Sequence, residues 1–288
     1  MKIHGYEHLF SALCGYVCAL SFGYTIGYSS PALPQMTALE GIMHNNEYAA
    51  SWFGSVVTVG AMLGCVVASS LVEWSGRRRT LMATAVPFFF GWIVIVVGND
   101  IGVLCLGRLL TGVSCGMVCV AAPLYVTETA PRELRGTLGA GIQLLITIGI
   151  LMVYCLGLIL SWRDLAVVGV AAPVIGLLLT WQSVESPRWL LSVGRRTDAV
   201  DVLARLRGPS AIGENELCEM EKTYAETSDH ASLAEIISHS ELARPFVVAL
   251  GVMALQQCTG INTVVFYTVS IFQVDELTHL VLRLQSES

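Results

Sequence analysis

The residues that could do chemistry in this chain are few, because most of it is apolar. Gln143, Gln256, Gln257, Asn262 and Arg108 each fall inside an apolar run. An amide side chain both donates and accepts hydrogen bonds. A sugar hydroxyl does both as well, so an amide-lined pocket suits an uncharged polyol. On a regular helix the six residues from Gln256 to Asn262 turn through about 600°, so the three amides do not share a face. A local break near Gly260 would bring them together. Arg108 would cost about 2.5–3.5 kcal/mol in a membrane unless paired or solvated, so it is expected to face the interior of a bundle. A second set, Glu73, Arg77, Glu128, Arg135, Glu185 and Arg188, sits at the ends of apolar runs; among these, Glu73 can bond the end of a neighbouring helix and the arginines after it can hold the turn at the cytosolic face. Plainer readings stand beside these. The amides could serve only to join helices, and the basic cluster Arg77–Arg79 could serve only to fix orientation.

The elements that must position these groups follow from composition. Charged residues make up 13% of the chain and AVILMFWYC residues 54%, where soluble domains average about 25% charged. Runs of about 20 apolar residues suffice to cross a bilayer as helix. Seven are expected: roughly Leu9–Tyr28, Trp52–Val72, Thr80–Gly98, Ile101–Tyr125, Gly139–Leu160, Leu165–Val184 and Phe246–Phe272. The first is too long and too far from an Ala-x-Ala cleavage pattern to be a removable signal peptide, and reads as a signal anchor. With the N-terminus in the cytoplasm, thirteen of the sixteen lysines and arginines fall on the inner side; Arg163 and Arg283 fall outside and Arg108 within a span. That asymmetry sets the orientation. The polar stretch 186–245 carries helical patterning at Ala199, Val200, Val202, Leu203 and Leu206, which predicts short cytosolic helices; a disordered linker is the alternative.

Several classes are not expected. The net charge of −6 offers nothing to a nucleic acid. Of nine cysteines only Cys218 lies outside an apolar run, and no C-x-x-C pair occurs, so the thiols read as packing residues rather than metal ligands or a disulfide frame. No metal, no cofactor and no enzyme constellation is expected. A seven-helix receptor would have an outer N-terminus, a cysteine pair between outer loops and an N-P-x-x-Y motif in its last span; none is in the sequence.

The motifs carry a resemblance. Glu73–Arg79 resembles the major facilitator pattern G-x-x-x-D-R-x-G-R-R, with Ser69 at the first glycine and Trp74 at the basic position. Gly107-Arg108-x-x-x-Gly112 matches G-R-x-x-x-G. Pro123-x-Tyr125-x-x-Glu128-x-x-Pro131-x-x-x-Arg135-Gly136 matches the sugar-porter pattern P-x-Y-x-x-E-x-x-P-x-x-x-R-G at every fixed position. Glu128 and Arg135 are seven apart, two turns along one helical face if the helix continued, although Pro131 interrupts it. Val184–Leu190 is similar to P-E-S-P-R-W-L, with Val184 at the first proline, and Gln256–Tyr267 to Q-Q-x-S-G-x-N-x-x-x-Y-Y. The chain therefore resembles the sugar porters of the major facilitator superfamily from about Tyr24 to Phe272. Ser21–Pro34 and Ile261–Phe272 look most like insect facilitated trehalose transporters and the class III glucose-transporter relatives.

That resemblance implies an all-α membrane fold: an N-terminal six-helix bundle over residues 1–185, a cytosolic helical linker over 186–245, a seventh transmembrane helix over 246–273 and a divergent tail over 274–288. It implies a sugar substrate such as trehalose or glucose, contacted by Gln143, Gln256, Gln257 and Asn262. It implies a cytoplasmic gate built from Glu73, Arg77, Arg108, Glu128, Arg135, Glu185 and Arg188. Proton-coupled members carry G-Y-D-x-G in the first span; here the residues are Gly23-Tyr24-Thr25-Ile26-Gly27. Threonine cannot take up and release a proton, so facilitated diffusion is expected, at the plasma membrane. Family members have twelve spans in two halves with the substrate between them. Seven spans lead to a runner-up expectation: a non-transporting form that is an incomplete gene model or associates with a full-length transporter.

Overall fold

The computed structural model describes residues 6–38, 41–44, 46–207, 216–222 and 240–272. They form helices and connecting turns. Two compact units are present, Met1–Glu214 and Asn215–Ser288. The first contains α1 (Glu7–Gly27), α2 (Ser29–Thr37), α3 (Glu47–Ser75), α4 (Arg77–Val97), α5 (Ile101–Thr129), α6 (Arg135–Gly157), α7 (Trp162–Gly169), α8 (Ala171–Gln182), α9 (Pro187–Ser192) and α10 (Arg196–Arg207). The second contains α11 (Ser240–Cys258), a helical run over 261–272 and a short one over 216–222. Among the described residues seven helical spans are long and apolar enough to cross a membrane, Glu7–Thr37, Glu47–Ser75, Arg77–Val97, Ile101–Thr129, Arg135–Gly157, Trp162–Gln182 and Ala243–Phe272. The chain is thus a multi-pass integral membrane protein. The expected tail 274–288 lies outside the described residues.

The first span is longer than its hydrophobicity indicated, running on to Thr37 through a break at Tyr28. Proline explains the break. Pro31 and Pro34 have no N–H to give to the carbonyls of Gly27 and Ser30 one turn earlier. Pro173 stands in the same relation to Gly169, where α7 gives way to α8.

The packing has an internal repeat. α5 is the central helix and lies against α1, α3, α4 and α6, while α1 lies against α6, α5 and α8. Exchanging the first span with the fourth, the second with the fifth and the third with the sixth maps the α3–α5 pairing onto α1–α6 and α4–α5 onto α1–α8, and leaves α1–α5 in place. Spans three apart cross in opposite directions, so the repeat is inverted, the arrangement found within each half of major facilitator transporters. Small residues allow the closest crossing. A Cβ at Gly64 would stand 2.0 Å from the Val113 carbonyl oxygen, and one at Gly112 would stand 2.3 Å from the Val57 oxygen. In lipid, where apolar burial drives little association, such backbone approach supplies the packing.

The interior of the bundle is unusually polar at one level. Arg108 is fully buried. Its Nη1 donates to the Thr25 carbonyl at 2.8 Å and its Nη2 to Ser29 Oγ at 2.6 Å, one acceptor on each side of the Tyr28 break. The guanidinium also lies 5.6 Å from the Tyr28 ring centre and 5.4 Å from that of Phe53, a cation–π arrangement. These contacts meet the two Nη groups without a carboxylate, while the buried Nε has no hydrogen-bond partner among the described residues.

The linker divides. α9 and α10 belong to the bundle unit, and α10 buries Ala199, Leu203 and Leu206 on one face. Arg207 Nη1 and Nη2 donate to the carbonyls of Thr129 and Ala130 at 2.8 Å each, satisfying acceptors that α5 leaves open at its C-terminus. Arg207→Ala is expected to destabilise the bundle by about 1–3 kcal/mol. Hydrogen exchange should speed up in α10 and at the end of α5 and leave α3 protected; uniform exchange across all helices would contradict this.

Candidate functional site

Two constellations hold the residues singled out above. The first closes the end of the bundle where α3 meets α4. Gly76 joins these helices with φ +97°, a conformation suited to glycine. A Cβ there would meet Glu185 Oε2 at 2.6 Å. The space is needed because Glu185 Oε1 accepts from the backbone N–H of Arg78 and of Ser186, both at 2.9 Å. A carboxylate thus caps the N-terminus of α4, where the helix dipole favours negative charge. Burial pushes the Glu185 carboxyl up from its ordinary range, and these N–H donors with the Arg78 charge pull against it. The expected helix-end acid, Glu73, is instead exposed and makes no ion pair among the described residues; its backbone carbonyl accepts from Trp189 Nε1 at 2.8 Å.

Beside that cap Glu128 is buried near the C-terminus of α5. Arg77 grips it in a bidentate fork, Nε to Oε2 at 2.8 Å and Nη2 to Oε1 at 3.0 Å. Ser186 Oγ donates to the same Oε2. Ser186 also accepts from Trp189 N at 3.3 Å, which makes it the N-cap of α9, with Pro187 in the first turn. Arg78 turns the other way, donating from Nε to the Thr180 carbonyl at 3.1 Å at the end of α8. Tyr125 Oη donates to the Val184 carbonyl at 2.7 Å. One polar cluster therefore ties the ends of α3, α4, α5 and α8 and the start of α9.

The expected gate residues are drawn into this end unequally. Arg77, Glu128 and Glu185 share the cluster. Arg135 begins α6, so α5 and α6 separate it from Glu128 and the two do not lie along one helical face. Arg188 is exposed on α9. Arg108 lies deeper, against the break in the first span. Ser186, Arg78 and Arg207 were not singled out as bonding groups. The Ser-Pro pair was the available signal for Ser186, since it marks a helix start, but its bond to Glu128 depends on tertiary position.

The second constellation is within Ala243–Phe272. Helix α11 ends at Cys258, Gly260 takes φ +68°, and helix resumes at residue 261. The break occurs where the amides required it. Asn262 Nδ2 donates to Gln257 Oε1 at 2.9 Å, and Gln256, Gln257 and Asn262 are all exposed. Gln143 is exposed on α6. Because a Cβ at Gly260 would touch nothing within 4 Å, Gly260→Ala tests backbone conformation alone. It is expected to cost about 1–2 kcal/mol locally. Amide exchange around Thr259 should change; an unaltered exchange pattern would show that the left-handed turn is not held.

Six spans with α5 at their centre and an inverted repeat, followed in sequence by a seventh span broken at its amides, define a transporter-type membrane fold. The comparisons give the family. The sequence model of the "Sugar (and other) transporter" family matches residues 11–281, and the chain belongs to that family. It is 38% identical over 255 residues to "Solute carrier family 2, facilitated glucose transporter member 8" of Bos taurus, covering 88% of this chain and 52% of that protein. It is 36% identical over 276 residues to "Facilitated trehalose transporter Tret1" of Polypedilum vanderplanki, covering 94% of this chain and 54% of that one. The chain thus spans about half the length of these curated relatives. The partially occluded inward-open structure of the xylose transporter XylE from E. coli superposes with a TM-score of 0.73 at 22% identity, covering 97% of this chain and 73% of that one, and supports the fold.

Proposed function

We propose that the chain serves facilitative transmembrane transport of a neutral sugar, trehalose or a hexose such as glucose, by alternating access. The observation that carries this reading is the Asn262–Gln257 hydrogen bond across the Gly260 break. It groups amide donors and acceptors on a membrane helix, where they can meet hydroxyl groups. Gln256 and Gln143 complete the proposed substrate contacts. The names of the trehalose and glucose transporters among the relatives support the substrate class.

Arg77, Glu128 and Glu185 act in this reading as the inner gate, with Glu73, Arg135 and Arg188 at its margin and Arg108 deeper in the bundle. A gate of ion pairs holds one conformation and must part in the other. Uniport rests on Thr25. Its hydroxyl donates to the Ser21 carbonyl at 2.8 Å and its own carbonyl receives Arg108, so the position holds no titratable group. The N-terminus is placed in the cytoplasm and the protein at the plasma membrane, with the arginine-rich end of α4 inward.

The test is uptake of labelled trehalose and glucose by oocytes, with surface labelling to count delivered protein. Saturable uptake is expected, and Asn262→Leu should reduce it about tenfold, as expected for loss of one or two substrate hydrogen bonds at roughly 1 kcal/mol each. Undiminished uptake by Asn262→Leu would remove the amides from the sugar site.

A further inference from the structure

We propose that the end of the bundle opposite the arginine-rich turn holds a zwitterionic phospholipid, its phosphate on Arg163 and one acyl chain in a groove between α4 and α7–α8. The groove has a volume of about 580 Å³ and is lined by Ile93 and Val96 of α4 and by Val167, Val170, Ala171 and Val174. It lies within the apolar spans Arg77–Val97 and Trp162–Gln182, at a depth where an open apolar groove is filled by hydrocarbon.

What distinguishes it from ordinary lipid-facing surface is its head. Arg163, Val167, Val170, Ala171 and Val174 follow helical spacing, so the arginine stands one turn beyond the groove on the same stripe. Arg163 Nη2 donates to Asn99 Oδ1 at 2.5 Å, and its guanidinium lies 4.8 Å from the Trp162 ring centre. The side chain is exposed. It is therefore fixed in direction at the mouth while its remaining N–H groups and its charge face outward. Tryptophan suits the headgroup level, and arginine suits phosphate.

Charge selects among headgroups. Asp164 follows Arg163 and Asp100 follows Asn99, and both carboxylates are exposed. Each uses one oxygen locally, Asp164 Oδ2 for Ser161 Oγ at 2.6 Å and Asp100 Oδ2 for Gly102 N at 2.8 Å. With Asp164 next in sequence to Arg163 and Asp100 next to its partner Asn99, this end carries one cation and two carboxylates, a balance that disfavours a headgroup of net negative charge. It favours a phosphate that carries its own ammonium, with the amine toward the carboxylates. A primary amine can donate hydrogen bonds to them, and a quaternary amine cannot.

The test is quantitative lipid analysis of the full chain purified in mild detergent, after washing and incubation with equimolar phosphatidylethanolamine, phosphatidylcholine and phosphatidylglycerol. Wild type is expected to retain about one phosphatidylethanolamine per chain. Arg163→Gln should bind it roughly tenfold more weakly through loss of a charge-assisted contact. Ala171→Trp should displace it by filling the groove while leaving the headgroup site intact. Gel filtration and circular dichroism identify any variant that fails to fold, and Val174→Phe then replaces Ala171→Trp. Equal retention by wild type and both folded variants, or a preference for phosphatidylglycerol, would overturn the proposal. The readout is bound lipid, so it is independent of whether sugar is transported.

Discussion

Glu128→Ala is expected to destabilise the bundle by about 3–5 kcal/mol, the usual cost of removing one partner of a buried ion pair. The substitution leaves the Arg77 guanidinium, which now forks onto both carboxylate oxygens, with, among the described residues, a single 3.3 Å contact to the Val72 carbonyl. It also strips Ser186 Oγ of its acceptor at the start of α9. Glu128→Gln should cost less, because one amide oxygen still accepts while the charge is lost. A double-mutant cycle with Arg77→Ala separates the pair from its surroundings. If the two side chains act together, the double variant should be less damaged than the sum of the singles predicts. Additive losses, read by thermal unfolding in detergent, would mean that the fork contributes nothing of its own. If the pair serves as the proposed gate, the same variants should also shift the balance between open states.

Gly64→Val is expected to be as damaging for a different reason. Its Cβ would sit 2.0 Å from the Val113 carbonyl oxygen and 2.8 Å from the carbonyl carbon. Backbone cannot swing aside as a side-chain tip can, so α3 and α5 must separate. Overpacking typically costs 1–3 kcal/mol and occasionally more; here about 3 kcal/mol or a failure to accumulate folded protein is expected, since α5 is central to the bundle. Gly136→Ala is the control, because a Cβ there meets nothing within 4 Å. Fluorescence-detected gel filtration should show a loss of the monodisperse peak for Gly64→Val alone. A normal peak and unchanged melting for Gly64→Val would show that the helices do not approach this closely.

The fold was largely legible because lipid imposes a simple rule: spans must be apolar and about 20 residues long. The site was legible where a local rule applied. Gly260 had to break its helix if Gln257 and Asn262 were to meet, and Arg108 had to turn inward. The partners were not legible. Glu185, rather than Glu73, caps α4, because the turn after α8 folds back onto Gly76; local spacing contains no trace of that return. Residue count would put Glu128 and Arg135 on one face only if the helix ran past Pro131, and it does not: α5 ends at Thr129 and α6 begins at Arg135. The extension of the first span to Thr37 was missed because hydropathy falls there while helix continues. Arg207 lies 78 residues from the carbonyl of Thr129, a separation that periodicity cannot bridge.

The most direct test of the central claim is the equilibrium distribution of labelled sugar across the membrane of cells carrying surface-verified protein, with and without an imposed proton gradient. A passive carrier of neutral sugar, with Thr25 where a titratable group would couple protons, predicts saturable entry that stops at equal concentrations inside and out, under both conditions. Accumulation above the outside concentration when the proton gradient is applied, or no saturable entry despite surface delivery, would contradict it.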